Sequence, residues 1–523
     1  MGLQYHRGGR DSAQVQSGFI YGYSTVVYFV TTFAISWGGI LATVGWDGFP
    51  GTQAQVNTLL PWVVLAMLAG PSFTGILMTY LVRGKGGCQS LLRGLLPRNQ
   101  VGVGWLAVAF LLAPLSIGTV LMVLSLIDPI FLPAIVNSDD KTGAFILAFA
   151  YALAAGFFEE LGWTAFAVRE LRLKHSILAT GLIVGTLWGA WHYIVAVWGS
   201  GMEDEAGRFS LAAFLPQMVF YVAVLPGYRV LMVWIYQQTE SLGAAMVMHA
   251  SLTASLPFTL APSATGINLA ASYLVLAVVL WAGIAIGASK GAFGSSMTEQ
   301  KVACCGMLLC GFISTVFYGA SIVSPVTEWS SYDHKSQTIS ELIAIDAPTR
   351  PLVGALFVTY SLILIVFGIG SRGTAGGNMP MRRAAIGLID KEVLGAIVTL
   401  WFPMHLRGVE TAFTDTMHGS LTFVGMLFIL LAVGSGANVS GVKFWVYSWV
   451  TIGVLVAGGC IAAMDAPKLA ANLPTPWIGV SERVSVGAYM LWVTVLSLEL
   501  TRTTWKGATV KLRSSSTLRK RNV

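Results

Sequence analysis

The sequence predicts an all-α, polytopic membrane protein of about 14 transmembrane helices arranged in two helical bundles. Three observations carry that reading. Of the 523 residues, 55% are hydrophobic and 11% are charged, against roughly 25% charged in an ordinary soluble domain. Apolar windows of about 20 residues, each long enough for a hydrocarbon layer of roughly 30 Å, recur from residue 18 to 502. Basic and acidic connections alternate between those windows.

The spans lie near 18–44, 58–82, 102–127, 143–168, 177–198, 211–236, 241–260, 269–288, 302–323, 351–370, 384–402, 418–435, 443–463 and 485–502. The first has no short apolar core followed by a small-residue cleavage site, so it reads as an anchor rather than a removed signal. The sixth and seventh are separated only by the weak loop 237–240. Gly86 to Asn99 reads as a short interfacial amphipathic helix, with Leu91, Leu92, Leu95 and Leu96 on one side.

Basic connections carry Arg7 and Arg10; Arg83, Lys85, Arg93 and Arg98; Arg169, Arg172 and Lys174; and Arg372, Arg382 and Arg383. Acidic or mixed ones run from Asp128 to Asp140, Glu203 to Glu205, Glu328 to Asp346 and Glu410 to Asp415. With an even number of spans, this pattern puts both termini in the cytosol. The net charge of +7 is concentrated in loops and in the tail Lys506 to Arg521. That suits an anionic lipid surface and no nucleic acid. The five cysteines (Cys88, Cys304, Cys305, Cys310, Cys460) have neither metal spacing nor a paired framework.

The best domain break is the Gly- and Ser-rich, polar stretch Ser289 to Lys301. It divides the chain into an N-terminal cytosolic segment (1–14), a first membrane domain (15–288), a linker (289–301), a second membrane domain (302–502) and a basic cytosolic tail (503–523).

The chemistry concentrates in the first half. Glu159 and Glu160 sit inside the fourth span, where an ionisable side chain costs a few kcal/mol or more, so the pair marks a functional site. On a helix Glu159 shares a face with Gly162 and Trp163, while Glu160 points about 100° away. The two carboxylates therefore have different jobs. His192, one turn after Trp188, and His249, followed by Ala250 and Ser251, add two imidazoles at membrane depth. Two carboxylates and two imidazoles are the parts needed to activate water. Glu159, His192 and His249 are also a possible zinc set, since neutral imidazole is a common zinc ligand. Alternatively, the histidines orient water and stabilise an oxyanion. The soluble H-E-x-x-H signature is absent, so any metal site assembles across helices. Counted from the helix ends, Glu159 and His249 lie at similar depth, whereas His192 lies deeper if its span begins at Ser176. Arg229 is the chief candidate for an intramembrane ion pair with the glutamates.

Glu159-Glu160-Leu161-Gly162-Trp163, then Trp188-x-x-x-His192, then His249-Ala250-Ser251 resemble the three motifs of the CAAX-protease and bacteriocin-processing family, which includes the type II prenyl-protein proteases. The stretch from Tyr228 to Tyr236 is similar to its members as well. The resemblance covers roughly residues 15–290. It implies an eight-helix intramembrane endopeptidase that cleaves near the end of a membrane-associated protein, with a prenylated C-terminal motif, a leader peptide and a membrane-protein terminus all open as substrates. Within it Glu159 is the water-activating base, Glu160 its partner, and His192 and His249 complete the site. It leaves zinc-dependent and metal-free glutamate chemistry both open. Two positions depart from the family pattern. Thr164 stands where the family has Arg, and Thr253 where it has Asn. These changes favour, as the alternative, a catalytically silent scaffold or chaperone of the same fold. A proton-coupled transporter using the same four residues is a further alternative, weakened by the lack of an internal repeat.

In the second half, polar residues punctuate the span ends. Ser340, His405, Asp415 and His418 are the parts of a hydrolytic or metal site. The favoured reading is plainer: polar loops cap helix ends and pair charges, such as Glu482 with Arg407. This half resembles a six-span membrane family of unknown function, grouped with Frag, DRAM and Sfk-type proteins, and the resemblance implies no established activity.

Overall fold

The computed structural model describes residues 22–95, 101–199, 211–323 and 329–519. The N-terminal segment with Arg7 and Arg10, residues Leu96, Arg98 and Asn99, the acidic run Glu203 to Glu205, Glu328, and the last residues of the tail lie outside them.

Among the described residues the chain is helical throughout and forms no strands. Lipid leaves no other choice for a spanning segment with open ends, because every backbone N–H and C=O must be paired internally. The helices of the first half are α1 (Ser24–Val44), α2 (Gln53–Leu95), α3 (Val103–Ser125), α4 (Lys141–Gly162), α5 (Ile177–Trp191), α6 (Tyr193–Gly199), α7 (Leu211–Val219), α8 (Leu225–Thr239), α9 (Leu242–Ala254) and α10 (Gly266–Ser289). Those of the second half are α11 (Met297–Val323), α12 (Arg350–Thr374), α13 (Met379–Trp401), α14 (Phe413–Gly436), α15 (Gly441–Ala470) and α16 (Ile478–Arg519).

Among the described residues, twelve helices are long and apolar enough to cross a membrane, and the chain is an integral, multi-pass membrane protein. Two further apolar helices complete the expected set. The first, α9, is short at 13 residues, but a π-helical turn at Ser255–Thr259 extends it. The second, α13, carries Asp390, Lys391 and Glu392 at mid-length, which lowers its hydropathy without breaking the helix.

The expected interfacial helix after the second span is a continuation of α2 beyond a kink. Gly84 takes φ 62°, ψ −160°, a backbone conformation open to glycine. Leu91 and Leu95 on the continuation are half-buried, and Leu92 is exposed.

Side chains of the expected types start the three helices that carry the candidate site. Asp140 accepts from Gly143 N at 2.8 Å, Ser176 from Ala179 N at 3.2 Å, and Ser241 from Ala244 N at 3.2 Å. Each such cap is worth about 1 kcal/mol.

Lipid supplies no hydrophobic drive between helices, so small residues that let backbones approach do the joining. A Cβ on Gly156 of α4 would stand 2.6 Å from Met246 O of α9. One on Gly185 of α5 would stand 2.6 Å from Pro226 Cα of α8. These contacts press α4 on α9 and α5 on α8, and the candidate site lies where they meet. The main core runs from Tyr28 on α1 through α12 and includes Trp163, Trp188 and Met248. A second core joins α11 to α16 around Phe367, Trp492 and Leu496. Leu352, Ala355 and Val358 of α12 belong to the first core, whereas Tyr360, Leu364 and Phe367 of the same helix belong to the second.

Replacing Gly156 by Leu should cost about 1–3 kcal/mol through overpacking. The same change at Gly118, where a Cβ meets nothing within 4 Å, should cost little. Thermal unfolding in detergent would check the contrast.

Candidate active site

Glu159 and Glu160 end α4 just before the chain enters a π-helical turn at Trp163–Val168. Such turns are rare and often mark functional sites. Both carboxylates are buried, with Glu159 4% and Glu160 0% exposed, and their surroundings differ sharply.

Glu160 is saturated. Arg229 of α8 forks onto it, with Nη1 2.9 Å from Oε2 and Nη2 2.9 Å from Oε1. His249 Nδ1 donates to Oε1 at 2.7 Å, and the Thr164 hydroxyl donates to Oε2. Four donors occupy the four acceptor sites of one carboxylate. Bidentate geometry and a fully hydrogen-bonded carboxylate are what let this ion pair persist at zero exposure.

Glu159 is held more lightly. Among the described residues it receives one hydrogen bond, from Trp188 Nε1 to Oε2 at 2.9 Å. The same oxygen lies 3.8 Å from His249 Nε2, too far for a direct bond. Trp188 is itself clamped. The Arg229 guanidinium lies 4.2 Å over its ring, and the His249 ring meets it edge-on at 4.9 Å. Trp188 thus passes the position of the Arg229–Glu160 pair on to Glu159.

His192 stands at a break, where α5 ends and α6 begins. Its Nδ1 lies 2.8 Å from Trp188 O, and its ring stacks on Tyr221 at 5.0 Å, 14° off parallel. The helix that leads to His192 is capped by Ser176 and starts at Ile177, the start that the deeper count from the sequence assumed. His192 lies one turn beyond Trp188, and it is the Trp188 indole that bonds Glu159.

The tautomers follow from the partners. A carbonyl only accepts, so His192 carries its proton on Nδ1. Glu160, engaged by three cationic or hydroxyl donor contacts, likewise accepts a hydrogen bond from His249 Nδ1. Each neutral imidazole then leaves Nε2 bare, which is the state that ligates metal or accepts from water. Among the described residues, however, no three His, Cys, Asp or Glu side chains converge at metal-binding geometry. The arrangement does not fit a three-ligand zinc site, and no step below runs through one.

Of the expected supporting residues, Thr164 bonds Glu160 and Trp188 bonds Glu159. Trp163 is fully buried against Tyr28 and Trp191, with ring centroids 5.8 and 5.7 Å away. Thr253 lies half-buried one turn after His249 and forms no hydrogen bond with either glutamate or either histidine. The candidate ion-pair residue Arg229 takes Glu160 and not Glu159. Tyr221 was not legible as part of the site. Only the π-helical turn it belongs to, Phe220–Val224, sets it against His192.

In the second half the four polar residues separate into two pairs. His405 Nδ1 bonds Asp415 Oδ2 at 2.7 Å, and His418 Nε2 lies 3.2 Å from Ser340 Oγ. The suggested pairing of Glu482 with Arg407 does not form. Arg407 forks onto Glu341, with Nε 2.6 Å from Oε1 and Nη2 3.0 Å from Oε2. Glu482 Oε2 accepts from Ile339 N at 2.6 Å. Asp415 also accepts from Ala412 N at 2.9 Å, so it is the helix cap that the plainer reading foresaw.

Comparison with known proteins bears on the first half. Residues 141–255, which hold all the residues of this site, match the family model of Type II CAAX prenyl endopeptidase Rce1-like proteins. Over these residues the chain is similar to CAAX proteases. A CAAX prenyl protease 2 of Methanococcus maripaludis is 22% identical over 237 residues, 44% of this chain and 82% of that protein. Residues 309–499 match the model of a protein of unknown function, DUF998.

Removing one partner of a buried ion pair leaves a charge stranded and costs about 3–5 kcal/mol. Arg229→Met should destabilise the protein by that amount, and adding Glu160→Leu should recover part of it. Thermal unfolding of the single and double variants would measure both.

Proposed function

We propose that the first half is an intramembrane endopeptidase that hydrolyses a peptide bond near the end of a membrane-associated protein, with a prenylated terminus as the leading substrate class. The observation that carries this reading is the unequal treatment of the two glutamates. Glu160 is spent on Arg229, Thr164 and His249, while Glu159 is buried, oriented by one indole N–H, and keeps acceptor capacity. The match of residues 141–255 to Rce1-like endopeptidases supports it.

In this mechanism the 3.8 Å between Glu159 Oε2 and His249 Nε2 is spanned by the nucleophilic water. Two acceptors at that separation suit the two hydrogens of one water, each at the usual ~2.8 Å. Glu159 takes one proton as the oxygen attacks the scissile carbonyl, and returns it to the leaving amine. His249 holds the second hydrogen and aims the lone pair. His192 has its Nδ1 proton committed to Trp188 O, so it can donate to a developing oxyanion only as the imidazolium, through Nε2. Glu160 orients His249 and Arg229 orients Trp188; neither need touch substrate. Thr164 supplies a donor to Glu160 where relatives have arginine, and Arg229 supplies the positive charge. The site opens to the cytosol in this reading, on the side of the basic connections.

Glu159→Gln removes the base while keeping the shape and the acceptor for Trp188. It should lower turnover of a fluorogenic prenylated peptide by at least ~10²-fold with the folded state retained. Trp188→Phe should lower it by about tenfold, in line with loss of one charge-assisted hydrogen bond of roughly 1.5 kcal/mol. The purified protein in detergent, assayed with and without chelator, would check these values. Full activity of Glu159→Gln would remove Glu159 as the base, and no cleavage by the wild-type protein would favour the scaffold reading.

A further inference from the structure

The second half encloses a cavity of about 870 Å³, within the range of roughly 300–1,000 Å³ for small-ligand sites. Its long walls are apolar, formed by Phe423 and Leu430 of α14, Leu455 of α15 and Met490 of α16. Lys391, paired with Glu392 at 2.7 Å, also lines it, as do the polar residues Ser340, His405, His418 and Glu482. A largely apolar lining that also carries polar groups suits an amphiphile with an apolar chain and a polar head.

Two of these polar residues form a pair. His418 Nδ1 lies 2.9 Å from Phe402 O, and its Nε2 lies 3.2 Å from Ser340 Oγ. The carbonyl can only accept, so Nδ1 bears the proton and Nε2 is bare; the Ser340 hydroxyl must be the donor. This is the order nucleophile, base, orienting group that activates a serine. Ser340 is also rigidly placed, on the short 3-10 helix Ile339–Ile343. Glu341 caps that helix through Thr338 N at 2.6 Å, Arg407 clamps Glu341, and Glu482 takes Ile339 N at 2.6 Å.

We propose that this cavity binds an acyl-ester amphiphile by its chain and that Ser340, with His418 as base, hydrolyses the ester. Ser340 Oγ bonds to the acyl carbon as its proton passes to His418 Nε2. The ester C–O bond breaks, and the leaving alcohol takes that proton. Water then attacks the acyl-serine, giving its proton to His418, and release of the fatty acid restores Ser340. No oxidant or second substrate besides water is needed. The site is separate from the Glu159 centre and does not rest on the protease reading.

An alkyl fluorophosphonate applied to the purified full-length protein tests it. One adduct per chain should form, mapped to Ser340 by peptide mass, and Ser340→Ala should abolish it. His418→Gln should slow labelling by at least ~10²-fold, and release of p-nitrophenol from p-nitrophenyl decanoate should follow the same order. Glu159→Gln should label like wild type. Thermal unfolding of each variant confirms that it is folded. Folded wild-type protein without a Ser340 adduct, an adduct on another residue alone, or His418→Gln labelling at the wild-type rate would overturn the proposal.

Discussion

The buried ion pair between Arg229 and Glu160 is the constraint on which the first half depends. A carboxylate and a guanidinium at zero exposure survive because the fork between them is bidentate and His249 and Thr164 fill the remaining acceptor sites of the carboxylate. That requirement dictates where α4 and α8 sit, and through His249 it dictates the register of α9. Trp188 of α5 contacts both the Arg229 guanidinium and the His249 ring, so a fourth helix is fixed by the same pair. Glu159 is then not merely buried but aimed, because its only described donor is the indole that Arg229 covers.

This division of labour explains how two adjacent carboxylates coexist in a membrane interior. Two free charges side by side would repel and each would be costly to desolvate. Here one is consumed by structure, which leaves the other chemically available. The helix irregularities serve the same end. The π-helical turn after Gly162, the break at His192 and the π-helical turn at Phe220–Val224 all lie around these residues. They let side chains that a regular helix would scatter meet at one point. Close approach at Gly156 and Gly185 then brings the four helices near enough for hydrogen bonds of 2.7–2.9 Å to join them.

Much of this was legible in the sequence, for physical reasons. Hydropathy reports spans because lipid imposes length and composition, so even α9 and the charge-bearing α13 appear as apolar segments. The 100° between consecutive helical residues already separates the roles of Glu159 and Glu160. Partner choice across helices was not legible. Arg229 was a candidate for either glutamate, and only the packing of α8 assigns it to Glu160. Arg407 was paired on paper with Glu482, yet Glu341, held in a short 3-10 helix, presents both oxygens to its fork. His192 was grouped with His249 by type despite its different count along the helix, and it sits at the break after Trp191 against Tyr221 and a backbone carbonyl. The four polar residues of the second half read as one cluster by type, and long-range geometry splits them into a helix-capping pair and a serine–histidine pair facing a cavity.

The most direct test of this account is to compare the thermal stability of Glu159→Gln and Glu160→Gln in the same detergent, without substrate. If Glu160 carries structure and Glu159 does not, Glu160→Gln should unfold at markedly lower temperature, because it strands the Arg229 charge, while Glu159→Gln should unfold near wild type. Equal melting temperatures, or a greater loss in Glu159→Gln, would contradict the assignment of one carboxylate to structure and the other to chemistry.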